Sequence, residues 1–222
     1  MISDPLRSMA SGFAAEMDAM LSRTVARHVT VKALAMQHGQ EKTFLVASNV
    51  QKFPMKSQRF ELETPAGRPN LWMEVSFQLR FDDEREYLAV QQSFVGVFKG
   101  RESKEGLFHY DYERRKGDGY PDAHLQVYGS SAAWEEALPG RPLTKLHFPM
   151  GGTRFRPCVE DVVEFLIVEG VVNPRRGWKE VLNTSRNRFQ ENQLKAAMRR
   201  NPQLVEDFVR RHGEDLGIKV TG

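Results

Sequence analysis

Three of the six histidines lie in strand-like segments beside acids and amides, and their spacing gives them a common side. In Leu107-Phe108-His109-Tyr110-Asp111-Tyr112-Glu113 the aromatic residues alternate with His109, Asp111 and Glu113. Successive side chains of a strand point to opposite faces, so the imidazole and the two carboxylates share the face that the aromatics leave. In His124-Leu125-Gln126-Val127-Tyr128 the polar pair is His124 and Gln126, and in Leu146-His147-Phe148 it is His147 that opposes the apolar residues. Cross-strand partners in an antiparallel pair lie on the same face. A hairpin through Gly117-Asp118-Gly119 that keeps polar opposite polar therefore pairs Asp111 with His124 and His109 with Gln126, since a one-residue slip would set His109 against Val127. A carboxylate beside an imidazole fixes its tautomer and suits it to general acid and base work near neutral pH, which makes His109, Asp111, His124 and His147 the candidate catalytic residues. The same donors could instead hold a divalent transition metal, although no metal-ligand spacing is present in the sequence. A third reading is that these residues form the solvent face of a half-exposed sheet.

Downstream, Pro149-Met150-Gly151-Gly152-Thr153-Arg154-Phe155-Arg156-Pro157 leads into a helix beginning near Glu160. Backbone amides at a helix start attract anions, and Arg154 and Arg156 are candidate phosphate-binding residues there. The segment lacks the lysine of a P-loop and the glycine spacing of a dinucleotide fold, so a plain strand-to-helix turn is the competing reading. Cys158, the single cysteine, sits at the same helix start, where a thiol can be activated if a histidine base lies beside it. Neither a Gly-x-Ser-x-Gly elbow nor a His-Glu-x-x-His pair occurs.

Taken together, Phe108-His109-Tyr110-Asp111, then His124-Leu125-Gln126, the arginine-bearing glycine loop and the helix Glu160-Asp161-Val162-Val163-Glu164-Phe165-Leu166-Ile167 resemble a pattern in small bacterial proteins. These are the TumE-like toxins and related uncharacterised actinobacterial proteins, and the resemblance covers about residues 107–169. It implies a place in a toxin-antitoxin or phage-defence locus and a nucleic-acid target. Where those proteins tend to show His-x-His, this chain has His124-x-Gln126.

Positioning these residues requires a sheet with a covered face. The pattern from 41 to 149 is of period two and predicts strands at 43–50, 58–64, 71–81, 87–98, 107–113, 123–129 and 144–149, with a short helix around 132–138. Turn chemistry at Pro65-Ala66-Gly67, Asp82-Asp83 and Gly117-Asp118-Gly119 joins consecutive strands into an antiparallel meander. Residues 25–36 fit either a continued helix or a first strand. Before the sheet, Asp4-Pro5 reads as an N-cap with proline at the first helical position, and Met9, Phe13, Met17 and Leu21 recur every four residues, a stripe that suits core packing or an adaptable partner-binding face. Helices are predicted after the sheet at 160–169, 178–200 and 201–213, where Asn201-Pro202 repeats the cap-plus-proline start. The expectation is an α+β single domain spanning 1–222, with an N-terminal helical segment at 1–36, the sheet at 41–149 and C-terminal helices at 157–213 on one face.

Composition bounds the function. The 222 residues are 40% hydrophobic and 27% charged, which is globular. Apolar runs such as Phe165-Leu166-Ile167-Val168 fall far short of the roughly 20 residues of a membrane span. No secretory signal pattern is visible and one cysteine permits no internal disulfide, so a cytoplasmic location and no membrane partner are expected. Residues 141–222 hold fifteen Lys or Arg against ten Asp or Glu, a modest excess that favours either a solvated helical surface or a polyanion. Two functions follow. One is a bacterial toxin or defence protein acting on RNA by acid-base chemistry, with no cofactor unless a divalent metal, a nucleic-acid target and a protein partner such as an antitoxin. The other is a non-catalytic interaction or chaperone-like module, its partner-binding residues Met9, Phe13 and Met17 on a methionine-rich helix and the open sheet face beside them, with homodimerisation as one use of that surface.

Overall fold

The computed structural model describes residues 4–38, 41–82, 84–104, 106–115, 117, 121–150 and 158–218. Helix α1 (Pro5–Thr24) starts where the Asp4 side chain accepts a hydrogen bond from the Arg7 amide, with Pro5 in the first turn where a missing N–H costs nothing. Its buried stripe is Leu6, Ala10, Ala14, Met17 and Leu21. Residues 25–36 resolve in favour of the strand: α1 ends at Thr24, and β1 (Val31–His38) pairs antiparallel with β2 (Glu41–Ser48). The Asp18 carboxylate accepts a 2.7 Å bond from the Val31 amide, which docks the start of β1 against the helix.

A small hairpin of β3 (Gln51–Lys52) and β4 (Met55–Lys56) stands apart from the main sheet, and the short β5 (Phe60–Glu61) adds to β6 (Trp72–Phe81). The expected 58–64 strand is thus reduced to two residues. β7 (Leu88–Phe98), β8 (Gly106–Glu113) and β9 (Ala123–Val127) continue the meander. Helix α2 (Ala132–Ala137) and a 3₁₀ turn at Leu143–Lys145 lead to β10 (Phe148–Pro149), so most of the expected 144–149 strand is turn. The sheet runs β1-β2-β6-β7-β8-β9-β10, antiparallel at every step.

Helices α3 (Val159–Val168), α4 (Trp178–Arg200) and α5 (Pro202–His212) follow. The fold is α+β, as expected, and one face of the sheet carries the core. Met73, Val75, Phe77 and Leu79 alternate inward along β6 and meet α1, while Val159, Val162, Val163 and Leu166 bring α3 onto the same face. The Phe13 ring packs edge-on against Phe77 with centroids 5.0 Å apart, a contact worth about 1 kcal/mol beyond the area it buries. Arg186 ties α4 to α3 through the carboxylates of Asp161 and Glu164. Beyond Leu182, α4 buries nothing, and α5 buries nothing at all. Among the described residues no helix is long and apolar enough to cross a membrane.

Candidate functional site

The helices cover the aromatic side of β8: Phe108 meets the Phe165 ring at 5.8 Å and Tyr112 is buried. His109 and Asp111 are thereby committed to the opposite face. Across the β8–β9 ladder Asp111 stands opposite His124 and His109 opposite Gln126, the register that polar matching requires. One donor atom from each of His109, Asp111 and His124 lies within 4.8 Å of the other two.

His147 joins this cluster through the short β10, in which Pro149 pairs with His124 and Phe148 with Leu125. The His124 and His147 rings are 4.6 Å apart and nearly perpendicular. Gln126 has a supporting part, because its side-chain amide donates to the Thr144 carbonyl and holds the turn that precedes His147.

The solvent-face reading does not survive for the two central imidazoles. His109 is only 6% exposed and His124 only 4%. Rings close over them, with Phe94 at 5.3 Å and Tyr128 at 5.5 Å from the His109 ring. Burial pushes the His109 pKa below the ordinary histidine value, the neighbouring imidazoles push it the same way, and Asp111 opposes them. A neutral imidazole at pH 7 is the form that takes a proton or ligates a metal. Its Nδ1 is buried and, among the described residues, has no hydrogen-bond partner, a deficit of roughly 1–3 kcal/mol that a ligand's donor or a metal would remove.

An open groove leads to Asp111. It holds about 390 Å³ on this face, bounded by the β3–β4 hairpin at Met55 and Lys56 and floored by Ser76, Gln78, Gln92 and Phe94. Sequence reasoning missed this wall, because two-residue strands carry no periodicity and Pro54 between them is the only local signal. The donor set of two imidazoles and one carboxylate, with an open side, suits zinc or another divalent transition metal as well as it suits proton transfer.

The remaining candidates are distributed differently. Arg154 and Arg156 lie outside the described residues, as do Asp118 and Gly119 of the expected hairpin turn. Met17 is buried against the sheet, and Met9 and Phe13 flank the buried stripe, so the sheet rather than a partner covers most of this helix face. Met9 and Phe13 also line a cavity of about 360 Å³ beneath α4, together with Arg80, Arg114, Phe189 and Arg199. Cys158 is buried at the start of α3, and burial together with the Glu160 and Asp161 carboxylates pushes its thiol far above the ordinary range, the reverse of what an activated nucleophile needs. Comparison with known proteins finds no family model, no curated protein and no solved structure that matches this chain.

Proposed function

We propose that the protein is an RNA-acting enzyme of the toxin or phage-defence type, with His109, Asp111 and His124 as its reacting groups and His147 beside them. The observation that carries this reading is the gathering of the three donor atoms within 4.8 Å, with Asp111 among the residues that line an open groove. His109, kept neutral by burial, takes the proton of a ribose 2′-hydroxyl. The 2′-oxygen attacks phosphorus, the bond to the 5′-oxygen breaks, and that oxygen receives a proton from His124, whose ring Asp111 orients. The products are a 2′,3′-cyclic phosphate and a free 5′-hydroxyl. Arg154 and Arg156 follow β10, whose Pro149 pairs with His124, and are the proposed phosphate contacts.

The test in cells is bacterial growth on induced expression of the wild type beside Asp111→Asn and His124→Gln, with soluble protein matched. Arrest by the wild type alone supports the reading. Arrest by all three places the toxicity outside this site, and growth of all three at equal soluble protein contradicts a toxin.

A metal-assisted version of the same cleavage is favoured by the buried Nδ1 of His109, which has no partner among the described residues and lies beside a carboxylate and a second imidazole. It requires zinc or manganese to bind the purified chain in titration calorimetry and His109→Gln to abolish that binding.

A further inference from the structure

Helix α4 buries only Leu182, yet one of its faces has a definite outlook. Ser185, Phe189, Asn192, Ala196 and Arg199 recur at helical spacing, and all of them line the cavity of about 360 Å³ beneath the helix. The facing wall is the apolar row of α1: Met9, Phe13 and Met17 line the same space, beside Leu88 and Val90 of β7. Side chains normally close a gap of this size inside a protein, whereas small-molecule sites occupy about 300–1,000 Å³ and are lined mostly by apolar groups with a few polar ones.

The charges on the walls select the ligand. Six arginines and four carboxylates line the cavity, and three of the carboxylates are engaged. Glu16 pairs with Arg188, Glu160 accepts from the Ser185 hydroxyl, and Asp82 accepts from the Glu86 and Tyr87 amides. Arg114 and Arg199 are different, because among the described residues neither forms an ion pair. Arg114 donates its Nε–H to the Val90 carbonyl at 2.9 Å, which leaves its two terminal nitrogens available, and the Arg199 guanidinium lies 3.5 Å from the centre of the Tyr87 ring. A guanidinium takes a carboxylate through two parallel charge-assisted hydrogen bonds.

We infer that this cavity binds an amphipathic carboxylate of the medium-chain fatty acid type, its alkyl body against Met9, Phe13 and Phe189 and its head held by Arg114 and Arg199. The site lies on the helix-covered side of the sheet and does not depend on the chemistry of the histidine cluster. The test is titration calorimetry of the full chain with decanoate and with decyltrimethylammonium, which has the same tail and a positive head. Decanoate saturates one site below about 1 mM, and the cation binds about tenfold more weakly or worse. Replacing both Arg114→Gln and Arg199→Gln weakens decanoate by about tenfold or more. Ala196→Trp, at a half-buried position outside the core, fills the cavity and abolishes binding with helix content unchanged, whereas His124→Gln binds as the wild type does. A wild type with no saturable binding at about 1 mM overturns the inference. So does equal affinity for the two head groups, and so does an Ala196→Trp variant that binds decanoate normally, which would place the ligand elsewhere.

Discussion

Gly96 sits directly opposite His109 across the β7–β8 ladder, and the missing side chain is what lets aromatic rings close over the imidazole. A methyl group at Gly96 would meet the rings of Phe94 and Phe98 at 2.8 Å, closer than packed atoms tolerate. The two rings stack with centroids 6.4 Å apart across the notch that glycine leaves, and the Arg59 guanidinium lies 3.4 Å above Phe98.

Gly96→Ala should therefore displace Phe94 from His109. The expected outcome is a loss of about 1–3 kcal/mol in urea unfolding, the usual cost of overpacking, together with greater solvent exposure of His109. Its imidazole resonances in a pH titration should move back toward the ordinary histidine range. Unchanged stability and an unchanged titration would show that the notch has no part in shaping the site.

The depressed pKa of His109 makes stability depend on pH in a defined direction. In the unfolded chain the residue titrates near 6.5, whereas the folded value is lower because burial disfavours the charged ring. Between the two values the unfolded state holds the extra proton, so this contribution is complete above about pH 6.5 and is lost as the pH falls below it. Urea unfolding of the wild type and of His109→Gln between pH 8 and 5 should show a shallower acid decline in the variant. Parallel curves would mean that His109 titrates normally in the fold.

Cys158 should be inert in the native protein. Its thiol is 3% exposed and its thiolate is disfavoured by burial and by two neighbouring carboxylates, so a disulfide reagent at pH 8 should label it only after unfolding. Cys158→Ala should cost about 1 kcal/mol and leave the proposed activity intact. Rapid native labelling would contradict this placement.

How much could be read beforehand depends on the range of the forces involved. The parity of β8 was legible because Phe108, Tyr110 and Tyr112 alternate with polar residues, and a helix-covered face leaves no other arrangement. The β8–β9 register followed from the same logic, since His109 opposite Val127 would have mixed the faces. The burial of His109 and His124 was not legible. It depends on Gly96 lying opposite, on Tyr128 folding over, and on Gln126 anchoring the Thr144 turn, all of them relationships between strands rather than along one. The methionine stripe was ambiguous for a related reason: helical spacing says that a face is apolar but not what it packs against. The true buried stripe runs through Ala10 and Ala14, small residues that let α1 approach the sheet closely. The apolar side of α5 shows the same ambiguity with the opposite result.

The most direct measurement is cleavage of a labelled single-stranded RNA by the purified chain, with added divalent metal and with a chelator, for the wild type, Asp111→Asn and His124→Gln. The account predicts that the wild type releases fragments ending in a 2′,3′-cyclic phosphate and that either substitution lowers the rate by about 100-fold or more. Cleavage that survives the chelator assigns the chemistry to the imidazoles, and cleavage that requires metal assigns it to an ion held by the same three residues. A wild type that leaves RNA intact under both conditions, or variants that cleave as fast as it does, would contradict the claim that His109, Asp111 and His124 form the reacting site.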